Sequence, residues 1–407
     1  MMGQWAEVKV TALMMLAFIF PVHPLTAGTQ PLQYVEQTLE IKGEKHKALV
    51  PQGYTLEVLT TDLMGPRMLA FGPNGDLFIG SKSRNIFRLA PPYDKPEVLI
   101  SIGAYPHSVA FRDNEMFIAR ANGLFRADYR PGQKTLKEKD IVQVAPLPHS
   151  GGHSSRTVAV GPDGRVYISI GISDNCNDQY LDDTYPFEDR RGGILVLIED
   201  EEKPRLQPFA TGLRNPVGFD WHPQTREMYA SNNGPDHSGF EQPPEYFSRL
   251  TAGSFHGMPW FQFDGKAIKR DDCIEKSPPR PLKDVPAPVA TFPARNAPMG
   301  VAFVPGNTMD EKLVGDAVVA LRGSWATWPA GGHVGLPSSR REPKLVIVRF
   351  ENGEAKRVDD LVTGFQSSFT GSRWARPVGV AIGPDGALYF TSDSGTEGLF
   401  RLRPNRP

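Results

Sequence analysis

Residues 158–169 read VAVGPDGRVYIS, a short apolar run, a Gly-Pro-Asp-Gly corner, and a second run rich in β-formers. Proline presets one turn angle and glycine accepts the backbone conformation other residues avoid, so the corner joins two antiparallel strands. The pattern recurs as MLAFGPNGDLFI (68–79), SVAFRDNEMFI (108–118), VGFDWHPQTREMY (217–229), GVAFVP (300–305) leading on to LVGDAVVAL, and GVAIGPDGALYF (379–390). Anchored on Phe71, Phe111, Val160, Trp221, Phe303 and Ile382, these make six copies. β-rich units repeating at roughly 40–80 residues predict a propeller.

Each unit has room for four strands. GLFRADY (123–129) and DIVQVAPL (140–147) read as the third and fourth strands of the second unit, and comparable fourth strands stand at 96–102, 205–213, 288–293 and 357–365. The last unit stops after GLFRLR (398–403), one strand short, while YTLEVLTTDL (54–63) is a strand with no unit of its own. Pairing the two closes the ring and removes an open sheet edge. The expected fold is therefore all-β, a six-bladed β-propeller of four-stranded antiparallel blades over residues 51–407, closed by its N-terminal strand. Residues 28–50 form a lead segment. Polar, Pro-rich excess length at 171–190 and 236–290 follows the second strands of blades three and four, where insertions shape a site.

The whole chain has 407 residues, 40 % hydrophobic and 22 % charged, with a net charge of −1. Such a balance carries no bias toward nucleic acid or an anionic membrane. The block VTALMMLAFIFP (10–21), followed by small residues at Ala27 and Gly28, reads as a secretory signal over 1–27, which predicts a periplasmic or secreted protein. An uncleaved anchor would tether it to a membrane instead. Cys176 and Cys273 show neither CxxC nor CxxCH, so a redox pair of that kind and covalent haem are both excluded, and whether the two bond each other stays open.

In a propeller the residues just ahead of each first strand surround one mouth of the central channel. Those positions collect Arg67, His107, His153 with Arg156, Arg214 with Asn215, and Arg376. Loops leaving the second strands add Asp174, SNNGPD (231–236), LRGSW (321–325) and SDSG (392–395). Several guanidiniums around one axis repel one another unless an anion sits between them, and arginine suits planar carboxylates. The pocket is expected to take a compact polyanion, with His153 and Asp174 as a base and its orienter. Phe255, Trp260, Trp325 and Trp374 are candidates for a substrate wall or for core packing.

The segments GGHSSRTVAVGPDGRVYISIG, FATGLRNPVGFDWHP, SNNGPD, APMGVAF, ALRGSW and RPVGVAIGPDGALYFTSD together resemble the soluble pyrroloquinoline-quinone (PQQ) sugar dehydrogenases, in particular their sorbosone dehydrogenase-like branch. The resemblance runs from about residue 50 to the C-terminus. It implies PQQ and Ca²⁺ as cofactors and oxidation of a sugar or related aldose or aldehyde by hydride transfer to the quinone. With no haem motif in the sequence, the electrons are expected to leave to a separate acceptor such as a cytochrome or quinone. On this pattern His153 is the catalytic base, Arg214 and Asn215 contact the quinone end of the cofactor, Arg322 binds the cofactor from the position of the family's usual lysine, and Arg376 matches one of the arginines that hold its carboxylates. The carbonyls of Gly234 and Pro235 ligate calcium.

The chain departs from that pattern in four places, one of them the family's Arg-x-Arg, which becomes Trp374-Ala375-Arg376 with Arg373 nearby. HSSR has two residues between histidine and arginine where three are common, IGISD delays Asp174, and Arg322 replaces a lysine. Two other readings stay open: a metal-dependent gluconolactonase-type hydrolase, and a non-catalytic propeller that binds an acidic ligand.

Overall fold

The computed structural model of the protein describes residues 31–199, 203–306, 310–329 and 331–405. The signal segment expected at 1–27 lies outside the described residues. Six antiparallel sheets follow one another around a ring, with first strands at Pro66–Phe71, Ser108–Arg112, Val158–Val160, Phe219–Trp221, Pro298–Phe303 and Ala375–Ile382. The sixth sheet is completed from the front of the chain: Tyr54–Thr60 pairs antiparallel with Gly398–Pro404, so the ring closes as the strand count requires. Among the described residues no helix is long and apolar enough to cross a membrane.

The first strands line an axial channel of about 390 Å³, bounded by runs such as Met68–Phe71, Thr157–Val160 and Val380–Ile382. They approach so closely that some positions admit only glycine. A Cβ on Gly379 would stand 2.5 Å from Arg67 O, and one on Gly218 would land on Met299 O and 2.7 Å from Val301 N. That explains the glycines in VGF and VGVAI, which local turn chemistry does not require. Hydroxyls fasten neighbouring blades at the same level: Thr391 Oγ1 donates to Arg67 O at 2.6 Å, Ser108 Oγ to Arg156 O at 2.9 Å, and Ser231 Oγ to Met299 O at 2.6 Å.

Two features differ from the sequence reading. The lead segment contains a β-hairpin, Tyr34–Ile41 with Glu44–Pro51, turned at Lys42 (φ 52°) and Gly43 (φ 82°). Two left-handed residues in succession make the tight turn whose twist matches paired strands. Its inner residues Leu39, Ile41, Ala48 and Val50 are buried in the same cluster as Phe365, Phe390 and Phe400. Paired hydrogen bonds between Leu49 and Thr363, at 3.0 and 3.1 Å, hold it to blade five. In addition, Ser254–Phe255 from the blade-four insertion joins blade three as a fifth, parallel strand. A disulfide, Cys176–Cys273, ties the blade-three insertion to that of blade four.

Candidate active site

His153 sits in the loop ahead of the third blade's first strand. Its Nδ1 is 2.6 Å from Ile172 O. A carbonyl only accepts, so Nδ1 carries the proton and Nε2 keeps a lone pair. Burial first, then the positive field of Arg214, push its pKa down to about 4, leaving the ring neutral near pH 7. The orienter is therefore the backbone carbonyl of Ile172. Asp174, expected in that role, accepts from Asn175 N at 2.7 Å and acts on His153 only through its charge. The extra residues of IGISD displace that carboxylate from the imidazole. Gly171 closes the back of the site, since a Cβ there would be 2.6 Å from Asn215 Oδ1 and 2.8 Å from His153 Cβ.

Arg156, counted with the ring, turns away from the mouth. It is fully buried and donates to its own loop: His153 O at 2.7 Å, Ser155 O at 2.8 Å and Pro148 O at 2.9 Å. It staples the segment that carries His153. His107 is likewise enclosed, with Nδ1 donating to Arg156 O at 2.8 Å, and burial lowers its pKa.

Arg214 and Asn215 precede blade four. Arg214 donates to Asn175 O (2.8 Å) and Asn175 Oδ1 (3.0 Å) and stands 3.9 Å from Asp236. On the other side of the mouth Asp393, with its side chain fully buried, gathers three cations: Arg67 and Lys82 at 2.6 Å each and Arg322 at 2.8 Å. Burial alone would raise its pKa; Arg67, Arg322 and Lys82 outweigh that and hold the carboxyl well below the ordinary range. The Arg376 guanidinium donates to the carbonyls of Arg322 (2.9 Å) and Gly323 (2.8 Å), and among the described residues it pairs with no carboxylate. Burial first, then Arg322 and Arg373, bring its pKa down to about 9, and Arg373 is brought to about 10. A guanidinium loses affinity for its proton where positive charge is in excess. Among the described residues Asp393 is the one carboxylate ion-paired with Arg67, Lys82 and Arg322, and Arg373 and Arg376 pair with none, which leaves that excess for an anionic guest.

The ring expectation lacked members that complete it. Lys82, just after a second strand, was not singled out, nor was Glu245, whose pKa burial pushes up to about 7 while Gly234 N–H donates to it. Arg295 stands ahead of blade five, the one blade from which the sequence reading drew no such residue, although its spacing marked the slot. Its side chain is 2 % exposed and bonds Asp236 Oδ1 at 2.7 Å, Asp236 O at 2.9 Å and Pro235 O. That contact bears on calcium. The Pro235 carbonyl expected as a ligand already accepts from a guanidinium, so the Gly234–Pro235 pair does not fit a divalent ion in this arrangement.

The aromatics divide. Phe255 and Trp260 are core, fully buried with Tyr180 in one cluster. Trp325 is 44 % exposed, and Trp374 stacks on His46 at 5.1 Å. Trp374 and Arg373 also line a cleft of about 890 Å³ shared with Lys42, Lys45 and Lys47 of the hairpin. His237 pairs with Asp271 at 3.0 Å beside Cys273, whose sulfur is committed to the disulfide.

The profile of the glucose/sorbosone dehydrogenase family matches residues 108–401. The calcium structure of a Trichoderma reesei family AA12 carbohydrate-active enzyme superposes with a TM-score of 0.73 at 17 % identity, covering 92 % of this chain and 99 % of that one. The holo PQQ domain of Coprinopsis cinerea pyranose dehydrogenase gives 0.68 at 19 %, over 88 % and 97 %. The soluble aldose sugar dehydrogenase of Escherichia coli, in its apo form, gives 0.60 at 16 %, over 86 % and 99 %. At these identities the likeness is one of fold. An uncharacterized protein of Borreliella burgdorferi is 25 % identical over 87 % of this chain and 90 % of its own.

Proposed function

The chain belongs to the glucose/sorbosone dehydrogenase family, whose members are sugar oxidoreductases, and from that premise we propose that it is a PQQ-dependent dehydrogenase of a sugar or related aldose or aldehyde hydrate. The observation that carries this reading is the pairing of a neutral, correctly tautomeric His153 with a mouth in which cations outnumber carboxylates. PQQ carries three carboxylates, and Arg322, Arg376 and Arg373 are the groups that would hold them. When bound, PQQ supplies a quinone carbonyl that accepts hydride. His153 Nε2 takes the proton from the substrate hydroxyl as hydride leaves carbon, and Ile172 O holds the imidazole in the tautomer this needs. Arg214, fixed by Asn175, lies close enough to depress His153 and would stabilise negative charge developing nearby.

Calcium enters no step, because Arg295 occupies the Pro235 carbonyl. The chain encodes no haem attachment segment, so electrons would pass to a separate acceptor. Work outside the cytoplasm accords with the Cys176–Cys273 disulfide. A lactonase would need carboxylates free to converge on a metal, whereas Asp236 and Asp393 are engaged by arginines. The test is reconstitution with PQQ and a screen of aldoses for dye reduction. Turnover is expected in the wild type and loss of turnover with retained PQQ in His153→Ala. Normal turnover by that variant would remove His153 from the base role.

A further inference from the structure

The contacts of Arg295 point beyond a simple ion pair. Its two terminal nitrogens reach five oxygens of one short segment: Pro235 O, Asp236 O at 2.9 Å, Asp236 Oδ1 at 2.7 Å, Gly239 O, and Gln242 O at 3.2 Å. Four backbone carbonyls and one carboxylate gathered around one guanidinium are the kind of oxygen donors that also suit a hard cation. The side chain is 2 % exposed, so this is a fixed interior charge rather than a passing contact. Arg295 itself lies in the left-handed region at φ 71°, with Ala297 two residues on at φ 52°. A non-glycine residue adopts that conformation only where its surroundings over-determine it. The charge is felt by the site, since Arg295 lies in the electrostatic surroundings of both Arg214 and Glu245.

We propose that Arg295 is a built-in cation: its guanidinium fills the oxygen-lined crook of residues 235–242 that a divalent ion would otherwise occupy, so the protein takes its anionic quinone without calcium. Arg295 is a positioning residue. It holds Asp236 within reach of Arg214 and keeps the loop after blade four's second strand in place from the ring slot ahead of blade five. The inference rests on the PQQ reading of the site, but the calcium arm of its test does not.

The experiment uses the purified full chain after dialysis against EDTA. Calcium alone is titrated calorimetrically into wild type, Arg295→Met and Arg295→Lys. PQQ is then titrated by fluorescence with EDTA present or with calcium in excess. Wild type is expected to show no saturable calcium binding at the 235–242 loop and the same PQQ affinity in both media, within about twofold. Arg295→Met is expected to lose at least about tenfold in PQQ affinity in EDTA, to gain a calcium site, and to recover affinity with the ion. Arg295→Lys, which keeps a charge, should stay calcium-independent. Saturable calcium binding by wild type that disappears in Gly234→Ala/Asp236→Asn overturns the proposal. So does a calcium requirement for PQQ in wild type, or an unchanged Arg295→Met in EDTA. Should Arg295→Met fail to fold, the wild-type and lysine arms still decide. Failure of wild type to bind PQQ in either medium counts against the dehydrogenase reading, while the calcium titration continues to judge Arg295.

Discussion

Replacing Asp393 by asparagine removes the one carboxylate that gathers Arg67, Lys82 and Arg322 while nearly preserving shape. The carboxylate is fully buried and the Arg67 side chain is 4 % exposed, whereas Arg322 and Lys82 reach solvent at 21 % and 43 %. Only the Arg67 pair therefore carries the full cost of a stranded buried charge. Removing one partner of such a pair costs on the order of 3–5 kcal/mol, and the solvated partners argue for the lower end, about 3 kcal/mol. Unfolding entropy of roughly 2 cal/mol/K per residue, taken over a propeller of about 350 residues, gives a slope near 0.7 kcal/mol/K. The melting temperature of Asp393→Asn should then fall by about 4 °C, as read by differential scanning calorimetry. The variant leaves the mouth more positive, so a carboxylate-rich anion such as citrate should restore more of its stability than it adds to wild type. The sign with pH follows from the depressed carboxyl. Its contribution is complete above the ordinary aspartate range and is lost as pH falls through the folded-state value, so the two proteins should converge in strong acid. A melting temperature within about 1 °C of wild type near pH 7 would refute the claim that Asp393 is the counter-charge of the mouth.

His153 should titrate near pH 4 rather than 6.5 in the cofactor-free protein, read from its imidazole resonances; a midpoint near 6.5 would mean the ring is not held in a buried, cationic setting. Because His107, His153 and His256 are all pushed below the ordinary histidine value, the unfolded chain binds protons that the folded one refuses. Their stabilisation is full above pH 6.5 and declines as pH falls toward 4, which a denaturant series across that window measures. Gly218→Ala should cost about 3 kcal/mol or more by urea unfolding, since its Cβ meets Met299 O. Gly103→Ala, where nothing lies within 4 Å, should be near neutral, and equal effects would dismiss the close-approach argument.

The blades and their closure were legible because their signals are local. Alternation and a Pro-Asp-Gly corner announce a strand pair wherever they occur, and Tyr54–Thr60 was recognisable as a strand missing its sheet. The hairpin at 34–51 was read only as lead sequence, because its polar outer face dilutes the alternation of its buried residues. The parallel pairing of Ser254–Phe255 had no such mark, being two residues long and set by the insertion's path. At the site, ring position alone brought His153, Arg214, Arg322 and Arg376 to one end. It could not tell that Arg156 spends its donors on its own loop, nor that Ile172 O rather than Asp174 holds the imidazole. Those outcomes depend on where a few ångströms of loop put a carbonyl. Glu245 was the least visible, since its raised pKa comes from burial that no single residue encodes.

On the proposed function the mouth of the propeller is a receptor for a tricarboxylate quinone. Calorimetric titration of PQQ into the purified wild-type protein, repeated with Arg322→Ala/Arg376→Ala, tests it most directly. Saturable binding at one PQQ per chain, weakened at least about tenfold in the double variant, is the predicted result. No saturable binding to wild type, or equal affinity in the double variant, would contradict it.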